Sequence, residues 1–384
     1  MLIIVVLFLV ILSVLVFVHE AGHFMMARKF GMRVDEFGFG FPPRAIGISK
    51  DKKTGKWKIV GRKTDILPQT IYSINWIPLG GFVRIKGEDG AGRNTKDSFA
   101  SKSGWARIVV LSAGVMMNFL LAWLIFSVVF MMGAPQAMNT DEQVSGDTKV
   151  QVGLVLPQTP AEEMGLRVGD SIVGVHIEEN KWLKTKSITD VQEYIQENKG
   201  EEIRLLIERG DDQVSLSGVP RTEYPEGEGS LGIELVRTSI VSFPWYEAIW
   251  KGLTTTLMLI GAILGAFVGL IKTLFTTGST PADIAGPVGI AFYTKQVADL
   301  GLVYILQFAG ILSVNLGIIN ILPIPALDGG RVVFVVIEMI KGSPVSQKFE
   351  QMTHTVGFIL LILLMFVVTF FDVIRFDIVG KIFS

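Results

Sequence analysis

The chain has no cysteine in 384 residues and only four histidines, and charged residues make up just 18% of it. Without cysteine there is no disulfide framework, no thiolate nucleophile and no Cys-ligated metal. Any metal would have to rest on His, Asp or Glu. An excess of either charge is also missing, with 35 Lys+Arg against 36 Asp+Glu, and this excludes the basic field of a nucleic-acid binder. Few charges, 49% apolar residues and a mean hydropathy of +0.48 exclude both an ordinary soluble domain and a disordered chain.

What is present is a set of long apolar runs. Leu2–Ala27, Ile108–Met132, Leu302–Leu322 and Val356–Phe371 are each of a length to cross a bilayer, for which about 20 apolar residues suffice. The first has no basic leader and no small-residue cleavage site, and is read as a retained helix rather than a signal peptide. Charge is divided by segment. Arg28 to Arg107 carries 17 Lys/Arg against 7 Asp/Glu, and Ala134 to Glu247 carries 10 against 21. The positive-inside rule places the first segment in the cytoplasm and the second outside, so the N-terminus is expected outside.

Between the second and third runs lies a soluble stretch. Val152–Leu156 is strand-like, Pro160 to Asp170 reads as a short helix and then a Gly turn, Ser171–Val175 a strand, Ile188–Asn198 a helix and Ile203–Glu208 a strand. Pro160-Ala161, followed by Gly165-Leu-Arg-Val-Gly-Asp-Ser-Ile-Val173, resembles a bacterial PDZ domain, a module that takes extended peptides by strand addition. A spacer or size filter is the competing reading. His176, at the end of a strand, is expected to be an ordinary surface or edge histidine.

The chemistry-bearing pattern is in the first apolar run. His19-Glu20-Ala-Gly-His23 is H-E-x-x-H, which on a helix sets two imidazoles on one face roughly 6 Å apart with a carboxylate beside them. Two imidazoles can share a zinc ion, the ion lowers the pKa of a bound water toward 7, and the carboxylate can take its proton. Ionisable groups inside an apolar span are expensive, which favours function over a structural polar cluster. Arg28 and Lys29 mark the inner interface, so at 1.5 Å per residue the pair lies about 7–14 Å below it. Catalytic zinc commonly has three protein ligands, and Asp328 is the best third. It closes Asn320-Ile-Leu-Pro323-Ile-Pro325-Ala-Leu-Asp328-Gly-Gly, where the prolines break the helix and expose backbone groups that the membrane tolerates only at a protein-lined cavity. Parity links the two. If Leu302–Leu322 is the next span after the outer segment, Asp328 arrives at the depth of the histidines. Leu253–Ile271, a fifth uncharged stretch, is therefore expected to lie along or dip into the outer face, and its flanks Trp245, Tyr246, Trp250, Lys251 and Lys272 suit an interfacial helix.

These motifs, with Gly38-Phe-Gly40, Ile77-Pro-Leu-Gly-Gly-Phe-Val-Arg-Ile-Lys86, Phe99-x-x-Lys102-x-x-Trp105-x-Arg107, Ala113-Gly-x-x-x-Asn118-Phe119 and Gly286-Pro-Val-Gly-Ile290, cover most of the chain. Together they resemble the site-2 protease family of intramembrane zinc metalloproteases, of the bacterial RseP/RasP kind with a single PDZ domain. The sequence departs from the family pattern at Val115, where proline is usual. The resemblance implies a polytopic α-helical membrane protein with four transmembrane helices, a re-entrant β-hairpin and one extracytoplasmic PDZ-like α+β domain. The expected division is 1–133 for the N-terminal membrane part, with the hairpin near 70–90, then 134–235 for the PDZ domain, 236–285 for an interfacial region and 286–384 for the C-terminal membrane part. It implies one Zn²⁺ per chain on His19, His23 and Asp328, Glu20 as general base, and Asn320, Pro323, Pro325, Gly80, Gly81, Phe82 and Val83 against unwound substrate. The mixture of strand formers, Pro78 and Gly80-Gly81 agrees with a hairpin rather than a helix.

The expected function is hydrolysis within transmembrane segments of single-pass proteins already cut on the outer side, in a bacterial inner membrane. The partners expected are the substrate, membrane lipid and a peptide in the PDZ groove, with no nucleic acid. A non-catalytic PDZ adaptor would not need Glu20, and a zinc transporter would need ionisable residues through several spans. Asn118 and Arg107 read as packing or anchoring, Asp283 as a turn or cap, and His354 as a histidine satisfied locally.

Overall fold

The computed structural model describes residues 2–51, 54–61, 67–90, 92–93, 95–137, 148–156, 159–178, 181–185, 187–210, 212–225, 228–277 and 286–375. Asp283 lies outside them. In chain order the elements are α1 (Leu2–Lys29), β1 (Val34–Lys50), β2 (Trp57–Val60), β3 (Ile71–Ile85), α2 (Gly104–Met132), β4 (Ala134–Ala137), β5 (Thr148–Val155), α3 (Pro160–Glu163), β6 (Ser171–Glu178), β7 (Lys181–Lys184), α4 (Ile188–Glu197), β8 (Ile203–Arg209), β9 (Asp212–Gly218), β10 (Ile233–Val241), α5 (Trp245–Thr277), α6 (Pro287–Leu300), α7 (Leu302–Ile321), α8 (Asp328–Lys341) and α9 (Gln347–Arg375). They form two units, one of residues 1–125, 253–291 and 309–384, the other of residues 126–252 and 292–308.

Among the described residues five helices are long and apolar enough to cross a membrane: α1, α2, α5, α7 and α9. The fifth, α5, contains the stretch expected at the interface. It is one helix of 33 residues from Trp245 to Thr277, longer than the uncharged run alone suggested.

In the first unit α1 and α2 approach closely because small residues face each other. A Cβ on Gly22 would stand 2.4 Å from the carbonyl oxygen of Ala113. Helix α7 joins them with Gly317 under the Phe119 ring, and Ser313 Oγ donates to the Asn118 carbonyl at 2.8 Å. The sheet is more elaborate than a hairpin. Phe37 of β1 registers with both Val83 and Tyr72, so the first half of β1 lies between two limbs of β3, while Ile48 in its second half pairs with Tyr72 on one side and Ile59 of β2 on the other. The doubling arises because β1 and β3 are long enough, at 17 and 15 residues, to bend back on themselves. Gly80, at φ +66°, makes the bend in β3, and its N–H donates to Ser13 Oγ of α1. Ala27, Met32, Val34, Ile85, Phe99, Val110, Leu111 and Val335 form the shared core at one end.

An ion cluster fixes α8. The buried Glu338 carboxylate accepts from Arg107 at 2.6 Å, Arg93 at 2.9 Å and the Val345 N–H at 3.0 Å. Burial alone would raise its pKa, but the two guanidinium hydrogen bonds hold it below the ordinary carboxylate range. Arg107 thus ties the start of α2 to α8.

The second unit is built on the sheet order β4-β10-β5-β6-β8-β9, with β7 beside β6 and all pairings antiparallel. Its core is Val150, Val152, Ala161, Leu166, Ile172, Val175, Val191, Ile195, Ile203, Leu205, Ile207 and Leu231. Ser187 and Asp190 form a capping box on α4. Asp170, fully buried, takes both Arg209 nitrogens at 2.7 Å. His176 of β6 meets its cross-strand neighbour Trp182 of β7 edge-on.

Candidate active site

Three side chains from distant parts of the sequence meet in the first unit. His19 Nε2 lies 3.0 Å from Asp328 Oδ2, His23 Nε2 lies 3.2 Å from the same oxygen, and the two Nε2 atoms are 3.1 Å apart. The helical i, i+4 spacing of α1 supplies the pair, and the first residue of α8 supplies the carboxylate. Both histidines are buried, at 5% and 6% exposure.

The donor set fits a metal ion. His23 Nδ1–H donates to the Val110 carbonyl at 2.8 Å, which leaves a lone pair on Nε2. His19 Nδ1 lies 3.3 Å from the Asn118 amide, and the Asn118 Oδ1 is buried without a partner. A half turn of that amide brings Oδ1 onto the His19 Nδ1–H, which satisfies the orphaned oxygen and leaves the second Nε2 lone pair facing the first. Two lone pairs and a carboxylate oxygen at 3.0–3.2 Å repel one another unless a metal ion or a ring proton lies among them. A tetrahedral zinc with bonds of about 2.0–2.1 Å would space its ligands about 3.3–3.4 Å apart, close to the separations seen.

Space is reserved for this. A Cβ on Gly114 would stand 2.4 Å from His23 Nε2 and 2.7 Å from His19 Nε2, so α2 can pass the pair only as glycine. Gly329 and Gly330 do the same for the backbone. A Cβ on either would come within 2.2–2.3 Å of the carbonyls of Ile321, Leu322 or Ile324, so α8 can start directly under the end of α7.

Around the ligands, the half-buried Glu20 lies within electrostatic reach of His23, Asp328 and the Val83 backbone. Asn320 Nδ2 is 3.4 Å from His19 Nε2. Gly80, Gly81, Phe82 and Val83 lie on the limb of β3 that pairs with the first half of β1, and Gly81 packs on Phe17 of α1. Pro323 and Pro325 lie in the break between α7 and α8. The structure therefore gathers Glu20, Asn320 and Val83 around the histidines and Asp328. Sequence reasoning missed Gly114 and the contact of Asn118 with His19, which it had read as packing. The only signal for both was the Ala113-Gly-x-x-x-Asn118 spacing, which puts the glycine and the asparagine on one face of α2.

The model of peptidase family M50 matches residues 7–364, and the chain belongs to that family. It is similar to a zinc metalloprotease RasP from Geobacillus kaustophilus, 29% identical with 96% of this chain and 97% of that one covered. It is similar as well to the regulator of sigma-W protease RasP from Bacillus subtilis, at 29% identity and the same coverage. Among solved structures, the PDZ domain of an SdrC-like protein from Listeria monocytogenes matches 24% of this chain and 93% of its own length, with 24% identity and a TM-score of 0.20.

Replacement of Gly114 by alanine is expected to drive a methyl group into the imidazole pair and lower zinc content well below one per chain. Metal analysis of detergent-purified protein checks this, and full zinc occupancy in the variant would show that the pair does not need the gap.

Proposed function

We propose that the chain is a zinc metallopeptidase of bacterial membranes that hydrolyses peptide bonds within transmembrane segments of single-pass proteins. The observation that carries this reading is the convergence of Asp328, the first residue of α8, with His19 and His23 beside Glu20 on the apolar helix α1. His19, His23 and Asp328 would hold the ion. When bound, zinc supplies a Lewis acid for the scissile carbonyl and acidifies water. Glu20 takes the proton of the attacking water and passes it to the leaving amine, and its place between Val83 and the ligands suits both transfers. Among the described residues the limb Gly81–Ile85 has a β-strand neighbour on one side only, which leaves an edge to pair with an unwound substrate strand. Asn320 would hold that strand near the ion, and Pro323 and Pro325 keep the α7–α8 break open around it. The adaptor reading gains nothing from membership in a peptidase family.

Four helices cross and α5 does not complete a crossing. Ser313 of α7 meets Asn118, and Glu338 of the following helix meets Arg107, so the chain from α7 into α8 runs opposite to α2. The end of α2 and the start of α7 then share one side of the membrane, which requires an even number of crossings between them. Helix α6, at 14 residues about 21 Å long, is too short to return a crossing by α5. Charge asymmetry puts residues 134–247 and the N-terminus outside, and the β1–β3 sheet enters the membrane from the cytoplasm, where its exposed Ile46, Ile74 and Trp76 find apolar surroundings.

Residues 134–235 serve as an extracytoplasmic PDZ domain. A cavity of about 390 Å³ between α4 and the segment Gly229–Ile233 would take a peptide, and the domain's bulk would turn away substrates that keep a long ectodomain. The substrates are accordingly proteins already cut on the outer side.

The test is cleavage in detergent of tagged single-pass substrates with a short and a long ectodomain, by wild type and Glu20→Gln, with and without phenanthroline. Wild type alone should cut the short substrate, at least 100-fold faster than the variant, and lose activity with chelator. Cutting by both proteins would overturn the role of Glu20, and equal cutting of both substrates the size filter. Topology is open to thiol labelling, since the chain has no cysteine. Ser187→Cys and Thr276→Cys should both react with an impermeant maleimide from outside the cell. Labelling of Thr276→Cys from the cytoplasmic side alone would mean that α5 crosses.

A further inference from the structure

The break between α7 and α8 delivers Asp328, and it contains the one non-glycine residue with a left-handed backbone among the described residues, Ala326 at φ +79°. An alanine holds that conformation only when its surroundings over-determine it. Within the break, the Ile324 N–H donates to the Leu322 carbonyl at 2.7 Å and the Leu327 N–H to the Ile324 carbonyl at 3.2 Å. The N–H of Ala326 points instead to α9, where His354 Nδ1 accepts it at 2.8 Å. A backbone N–H can only donate, so this nitrogen carries the lone pair and the ring hydrogen sits on Nε2, which is buried with no partner. The ring also lies 5.4 Å from that of Phe334. One helical turn further along α9, Gly357 presses on the same break, where a Cβ would stand 2.5 Å from Pro325 Cβ and 2.6 Å from its carbonyl oxygen.

We propose that His354 is a positioning residue for the metal ligand Asp328: its Nδ1 holds the Ala326 N–H, locks the left-handed turn, and so sets the start of α8 where the carboxylate meets His19 and His23. This rests on the reading of Asp328 as the third ligand. The buried, unpartnered Nε2 argues that the ring is kept for its Nδ1 contact, since a histidine serving only as a polar surface group would leave both nitrogens to water. The break is thus held from two directions. Gly329 and Gly330 let α8 fold under α7, and His354 with Gly357 clamps the turn from α9.

The experiment compares wild type, His354→Ala, His354→Asn and His354→Gln in detergent. It reads zinc affinity by competition with a chromophoric chelator and the melting temperature of the metal-stripped proteins. Asparagine places Oδ1 where Nδ1 stands, whereas glutamine carries its acceptor one bond too far. Groups that orient metal ligands are worth about 10- to 100-fold in affinity. The alanine and glutamine variants should bind zinc that much more weakly, the asparagine variant should stay within about threefold of wild type, and the metal-free melting temperatures should change little. Wild-type affinity in His354→Ala, or equal weakness in the alanine and asparagine variants, would overturn the proposal. So would losses that track the metal-free melting temperature. A wild type that binds no zinc would overturn the metal site itself and this proposal with it.

Discussion

Everything in the membrane part is arranged around the repulsion between three ligand atoms forced together in an apolar setting. Two imidazole lone pairs and a carboxylate oxygen, mutually 3.0–3.2 Å apart, are unfavourable neighbours on their own and costly to bury on hydrophobic helices. The surrounding residues each remove part of that cost. The Val110 carbonyl accepts from the outer nitrogen of His23, Asn118 meets the outer nitrogen of His19, and a zinc ion held by the three residues would neutralise what remains. The same crowding explains the glycines, because side chains that converge this tightly leave no room for a Cβ at Gly114, and a helix that starts under another leaves none at Gly329 or Gly330.

The construction divides the work between rigid and irregular elements. The histidines and Glu20 share one regular helix, whose geometry needs no tertiary support beyond its packing on α2. Asp328 comes from a broken segment, and breaks inside a membrane are stable only where protein satisfies the freed backbone. Helix α9 meets that need at Ala326, and the Glu338 cluster with Arg107 and Arg93 fixes the far end of α8. Glu20, proposed as the general base, lies between this scaffold and the Gly81–Ile85 limb of β3, where the proposed function has an unwound peptide lie.

The parts of this arrangement that were legible in the sequence are those with short-range periodicity. The i, i+4 spacing of His19 and His23 fixes a shared helical face, hydropathy marks the long helices, and proline pairs with Asp328 to mark a helix break. What stayed hidden depends on contacts between residues well separated in sequence, 99 apart for Asn118 and His19 and 28 apart for Ala326 and His354. Asn118 looked like a packing residue because nothing in α2 alone shows that His19 lies opposite. His354 looked locally satisfied, but its Nδ1 accepts from the left-handed turn two residues before Asp328, and its buried Nε2 has no partner. The doubled register of β1 against β3 was also hidden, since alternation in each strand is the same whether a strand has one neighbour or two. For α5, composition and length agree with either a crossing or an interfacial helix, and only the direction of its neighbours bears on the choice.

The zinc K-edge absorption spectrum of the purified protein, loaded to one ion per chain, tests the central claim most directly. The account predicts two imidazole nitrogens and oxygen ligands at about 2.0–2.1 Å in a four-coordinate shell. A spectrum with one imidazole or none, or with an ion bound mainly by water, would contradict it.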